Sequence, residues 1–181
     1  MQKLLLISIL CLSFLTGCSH FGKDEHKDMK LYETYIDSVV NNHGIESTNI
    51  PFEYEMDVYR QKNGTYKYEI NIYNPHVAMY DIQAIAVNLD MDMNTNIYPC
   101  IGLLGDDLDY QYNMIPYQAR GEKGFIRMIT LDAVSFKEQF TVNVMVTWKD
   151  SSLQNESRVF FNCNFAQKKE TKQGKQKKQV N

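Results

Sequence analysis

Few residues in this chain are of a type that does chemistry. There are four histidines, His20, His26, His43 and His76. The first three flank or enter a segment with helical periodicity near the N-terminus. Only His76 belongs to the β-rich body, beside Pro75. A Ser-His-Asp or Cys-His arrangement would have to use it, yet no G-x-S-x-G elbow and no H-E-x-x-H motif accompanies it. His76 therefore reads as an exposed turn histidine. The run from Asp90 through Asp92 to Asn94 opens like a calcium loop, with oxygen ligands at alternate positions. An EF-hand also needs glycine at its sixth position and glutamate at its twelfth, and those places hold Thr95 and Ile101. The run reads as a solvated acidic loop between strands. Asp106, Asp107 and Asp109 are the remaining carboxylates for a different calcium site. They do not make a glycosidase pair, because neighbours on one loop cannot face each other across a cleft. The expectation is a chain with no catalytic residue, no cofactor and no metal.

The aromatic residues say more. The chain has 12 tyrosines and 9 phenylalanines. Tyr59 and Tyr73 fall out of phase with the inward residues of their strands, which places them on an outer face as a candidate binding surface. Aromatics are enriched at protein interfaces, and a flat ring also suits stacking against a sugar. Packing under a helix or shielding a sheet edge is the alternative for both. Cys100 and Cys163 form a candidate disulfide in an exported protein; equally, they read as two buried thiols acting as small hydrophobes. No Cys-x-x-Cys motif is present.

The N-terminus carries the most specific signal. Lys3 precedes an apolar run, Leu4 to Leu15, of 12 residues. A bilayer-spanning helix needs about 20, so the run reads as the h-region of a signal peptide. The segment Leu15-Thr16-Gly17-Cys18 that follows resembles the lipobox of bacterial lipoproteins. The resemblance covers about twenty residues and does not extend into the domain. It implies diacylglyceryl transfer to the Cys18 sulfur, cleavage before Cys18, acylation by a fatty acid such as palmitate, and a lipid-anchored place on the extracytoplasmic face of the cell membrane. Two acyl chains suffice for stable anchoring, whereas one gives marginal binding.

Charge is divided unevenly. Residues 18–167 hold 12 basic and 21 acidic side chains, a net of −9. Residues 168–181 hold six lysines and one glutamate, a net of +5. An acidic body argues against nucleic acid, whose binders carry a basic face. The tail has no apolar pattern and reads as disordered, either a solubilising appendage or an electrostatic contact to membrane or wall polymer.

The elements that must position these groups follow from periodicity. Residues 18–28 read as a tether. Met29, Tyr32, Tyr35, Ile36, Val39 and Val40 recur at offsets of three and four, giving an amphipathic helix over 29–44 with Gly44 just past its end. This helix is expected to dock on its own domain. After Pro51 the period becomes two. Phe52, Tyr54, Met56 and Val58 alternate with acids, and Asn63-Gly64 signals a tight hairpin in which both turn residues tolerate positive φ. Tyr66, Tyr68, Ile70 and Ile72 return on one face. MYDIQAIAVNL is apolar on both faces, as in an inner strand covered on both sides. YQYNM and FIRMITL are further candidate strands. Two clean alternations follow: Phe140, Val142, Val144, Val146 and Trp148, then Val159, Phe161, Cys163 and Phe165. About seven strands over residues 50–166 predict an immunoglobulin-like β-sandwich with one N-terminal helix. The combined expectation is a non-enzymatic binding lipoprotein that meets an envelope protein as accessory subunit or inhibitor. The alternatives are a module for envelope glycan or wall polymer and a small envelope hydrolase.

Overall fold

The computed structural model describes residues 24–91, 97–105, 110–118 and 124–167, the side chains of residues 24–28 excepted. A helix, α1 (Asp24–Asn41), precedes seven strands. These are β1 (Glu53–Arg60), β2 (Tyr66–Tyr73), β3 (Tyr80–Val87), β4 (Cys100–Ile101), β5 (Met128–Ser135), β6 (Gln139–Lys149) and β7 (Glu156–Ala166). They form two antiparallel sheets, one ordered β1-β2-β5 and the other β4-β3-β6-β7. In that order β1, β2 and β5 take the places of strands A, B and E of an immunoglobulin sandwich. β3, β6 and β7 take those of C, F and G, and β4 that of C′. Trp148 lies on β6 and not on the C-equivalent strand, so the likeness is one of topology.

Alternation builds the core. Tyr66, Tyr68, Ile70 and Ile72 of β2 and Ile129 and Leu131 of β5 point inward. They meet Ala84 and Ala86 of β3, Val142, Val144, Val146 and Trp148 of β6, and Val159 and Phe161 of β7. Phe52 sets its ring edge-on to Trp148 (centroids 6.4 Å) and to Phe161 (6.0 Å). Each such side chain contributes roughly 1.5–3 kcal/mol on leaving water.

β3 and β6 are also buried on their other face. Ile85, Val87 and Met145 point away from the sandwich core and pack with Tyr32, Tyr35 and Val39 of α1. The helix therefore docks on its own domain, as its apolar stripe predicts. The Tyr32 hydroxyl accepts a hydrogen bond from the Tyr98 backbone N–H at 2.7 Å, pinning the approach to β4. The Tyr35 hydroxyl lies 2.5 Å from Gln83 Oε1 and 2.7 Å from Thr147 Oγ1, tying α1 to β3 and β6. Burial raises the pKa of both phenols.

Three details correct the sequence reading. The helix begins at Asp24, inside the stretch read as tether, because residues 24–28 contain neither proline nor glycine to stop the backbone one turn earlier. The first hairpin does not use a two-residue Asn-Gly turn. Gln61 N–H donates to Thr65 O (2.8 Å) and Gly64 N–H to Gln61 O (3.0 Å), and of the two residues only Gly64 has positive φ, +88°. That is a three-residue loop ending in a left-handed glycine. Finally, YQYNM is no strand. The seventh strand is the two-residue β4, while residues 112–114 cross the start of β3 as a patch: Met79 and Met114 form an isolated bridge, and Ile82 N–H donates to Tyr112 O at 2.8 Å. The FIRMITL strand likewise starts only at Met128, since Ile126 N–H is drawn to Asn113 O (2.9 Å).

The edge of β7 is covered by the chain that leaves α1. Ser47 N–H donates to Phe160 O (2.8 Å), and Phe160 N–H donates back to Ser47 Oγ (2.9 Å). Asn162 N–H donates to Glu46 Oε1 (3.2 Å), so edge donors that would invite another strand are occupied. The helix and its exit loop thus seal one sheet.

Tyr35→Phe removes the hydroxyl shared by Gln83 and the buried Thr147. The expected loss is about 1–3 kcal/mol in urea unfolding, the cost of an unmet buried polar group; an unchanged midpoint would mean that α1 is not held by this contact.

Candidate functional site

Among the described residues, the sheet face left uncovered is the outer face of β1-β2-β5. Its twelve outward positions form four rows in register. These are Glu53–Tyr73–Met128, Glu55–Asn71–Thr130, Asp57–Glu69–Asp132 and Tyr59–Lys67–Val134. The period of two that buries Tyr54, Met56 and Val58 sends their acidic neighbours outward, so the same pattern that builds the core builds this face.

The face carries five carboxylates and one lysine. In the third row three carboxylates stand side by side on adjacent strands, an arrangement that costs stability, since like charges directly opposite repel. Lys67 offsets part of that cost. Its Nζ lies 2.7 Å from Glu69 and 3.3 Å from Asp132, and these partners hold its pKa above the ordinary lysine range. Asp57 lies outside this shared pair. Thr130 Oγ1 donates to Asn71 Oδ1 (2.9 Å), and Asn74 Nδ2 donates to Glu53 Oε1 (2.6 Å). Both bonds set side chains flat along the sheet.

The structure places Tyr59 and Tyr73 on this face, as their phase predicts. Tyr59 is 52 % exposed and Tyr73 half-buried. Partial burial, and then the Glu55 and Glu53 carboxylates, raise the Tyr73 pKa. The two rings do not converge. Tyr59 pairs with Lys67 and Tyr73 lies six residues further along β2, a separation of about 20 Å. They are the two ends of a face, with the carboxylates between, and not one stacking platform. Met128, also exposed, extends the apolar end beside Tyr73. The like-charge row was missed in the sequence because it depends on strand register. The acidic alternation in β1 was the signal for one third of it.

The other candidates fall elsewhere. His76 is exposed, and its backbone N–H donates to Pro51 O (2.7 Å) at the entry to β1. Asp90 forms an ion pair with Lys137. Asp92, Asn94, Asp106, Asp107 and Asp109 lie outside the described residues, as do Cys18 with its lipobox and the tail 168–181. Among the described residues, no group of three His, Cys, Asp or Glu side chains could hold a metal ion.

Cys100 and Cys163 are not bridged. They lie on β4 and β7, the two outermost strands of the four-stranded sheet, three strand spacings or at least about 14 Å apart, and the register offsets Cys163 by three further residues along β7. A disulfide needs Cα atoms within about 7 Å. They also face opposite ways, Cys163 into the sandwich and Cys100 toward α1. The reading as two separate thiols is the one this geometry accommodates. Burial, and to a lesser degree the Glu46 carboxylate, push the Cys163 thiol up to about 12.

No family model matches this chain, and no curated protein or solved structure matches it.

If the carboxylate row is a stability cost, relieving it stabilises the fold. Asp57→Asn is expected to raise the unfolding free energy by about 0.2–1 kcal/mol, with a larger gain at low salt. A loss of stability would show instead that Asp57 is structurally engaged.

Proposed function

We propose that this chain is a lipid-anchored, non-enzymatic binding protein of the extracytoplasmic membrane face, and that the outer face of β1-β2-β5 receives a basic protein of the cell envelope. The observation that carries the reading is the row Asp57–Glu69–Asp132, flanked by exposed Tyr59 and Met128. A sheet face that keeps like charges opposite one another, at a cost to its own fold, suits a partner that brings the opposite charge. Such complementarity raises the association rate and selects the partner more than it adds raw affinity. The tyrosines at the ends supply the apolar contact that steered complexes need once they have met.

The anchor in this reading is Cys18. Among the described residues no helix is long and apolar enough to cross a membrane, and a diacylated cysteine needs none. An inhibitor or accessory subunit fits a single tethered sandwich; both act by occupying a neighbour's surface.

Crosslinking followed by pull-down from intact cells tests this. The wild-type chain is compared with Asp57→Lys/Asp132→Lys and with a Cys18→Ser form carrying an ordinary signal peptide. The expected result is one stoichiometric basic partner, released by a high-salt wash, absent with the charge-reversed face, and reduced when the anchor is lost. Capture that resists salt, or that survives charge reversal, contradicts the acidic-face reading.

A further inference from the structure

A second feature lies on the other sheet, beside Tyr35 of α1. An open cleft of 230 Å³ is bounded by β3, the ends of β6 and β7, and the residues Gly102, Tyr110 and Gln111. This is below the roughly 300–1,000 Å³ of pockets for drug-sized ligands. It has room for one six-membered ring and its substituents.

The cleft is built, not merely left over. Its floor is Gln83 and Thr147, both held by the Tyr35 hydroxyl, and Gln83 Nε2 donates to Gly102 O at 2.8 Å. Gly102 has φ +68°, and a Cβ there would come within 3.0 Å of Ile82 O, so only glycine leaves this wall as it is. On the rim, Lys149 Nζ meets Asp81 Oδ2 at 2.8 Å, with Glu156 also lining the cleft. Asp81 is left-handed (φ +47°) where the β3 register shifts between Tyr80 and Gln83, and Asn113 Oδ1 holds its N–H at 3.0 Å. A bulge with a strained non-glycine residue aims a side chain that a regular strand would aim elsewhere. On the opposite side Tyr110, 68 % exposed, is stacked on Tyr112 with centroids 5.9 Å apart and planes 26° off parallel. This offset contact steadies the exposed ring.

We propose that this cleft binds one pyranose unit of a glycan, with the sugar's C–H face on Tyr110 and its hydroxyls across the Lys149–Asp81 pair. A hydroxyl both donates and accepts, so adjacent hydroxyls can give a hydrogen bond to Asp81 and take one from Lys149 without leaving either charge unmet. Gln111 and Glu156 offer further polar contacts around the ring. Other ligand classes fit worse. A phosphate or carboxylate would meet Asp81 and Glu156, an apolar ring would strand both charges, and a simple cation would meet Lys149. The site is separate from the β1-β2-β5 face and stands whether or not that face meets a protein.

Trp148, the chain's single tryptophan, lines the cleft and serves as its reporter. The full-length chain in a non-glycosidic detergent is titrated with chitotetraose, cellotetraose and maltotetraose, following Trp148 emission and the heat of binding. A saturable response to at least one of them is expected, with a dissociation constant of about 1 mM, as befits a single-ring contact. Tyr110→Ala and Lys149→Met should each weaken it by about tenfold, with the unfolding midpoint of Tyr110→Ala unchanged and Tyr59→Ala without effect. No emission change and no heat with any of the three sugars overturns the proposal, as does binding that survives Tyr110→Ala. Neither result bears on capture by the acidic face, which Tyr110 and Lys149 do not touch.

Discussion

The packing of Tyr32, Tyr35 and Val39 onto the outer face of β3 and β6 is the contact on which the rest of this molecule depends. Two sheets of a sandwich cover each other's inner faces and leave two outer faces. β3 and β6 carry apolar side chains on both sides, so the four-stranded sheet requires a second cover, and α1 is that cover. Docking the helix fixes the Tyr98 approach to β4 through Tyr32. It also fixes the Gln83–Thr147 floor through Tyr35, and it lays the exit loop along the edge of β7. Among the described residues the broad face then left to water is that of β1-β2-β5, where the outward positions alternate with the core set and carry five carboxylates.

That asymmetry orders the electrostatics. The face opposite the helix holds the carboxylate row, with a single lysine bridging two of its members. In the lipid-anchored reading only six residue steps separate Cys18 from Asp24, at most about 20 Å of chain. The domain would then sit close to an anionic leaflet, whose potential repels a carboxylate face and attracts lysines. In that reading the carboxylate face would turn away from the membrane. A sheet face carrying charge on three adjacent strands is also poorly suited to self-association through that face, because like charges repel.

How much of this was legible differs by element. The inward and outward faces of β1 and β2 were readable, because their partners across the sheet are adjacent in sequence and one face is wet. The helical stripe of α1 was readable too, and the apolar residues on both faces of MYDIQAIAVNL signalled a strand covered on both sides. The turn between β1 and β2 was misread because Asn63-Gly64 is compatible with two hairpin geometries, and strand register chose the longer one. YQYNM was misread as a strand because its alternation serves a patch over the β3 bulge. That bulge is set by tertiary hydrogen bonds to Asn113 and Tyr112. The carboxylate row and the Tyr110 cleft were invisible for a related reason. Both assemble residues from distant segments, and neither β5 nor the 110–112 loop announces its neighbours.

Carboxyl footprinting on intact cells tests the central claim most directly. Carbodiimide-driven labelling of Asp57, Glu69 and Asp132 is compared between intact cells that express the protein and the purified chain, with Glu33 on the exposed side of α1 as internal reference. The account predicts protection of the three-carboxylate row in cells, with Glu33 labelled equally in both. Equal labelling of the row, or protection of Glu33 in its place, would contradict it.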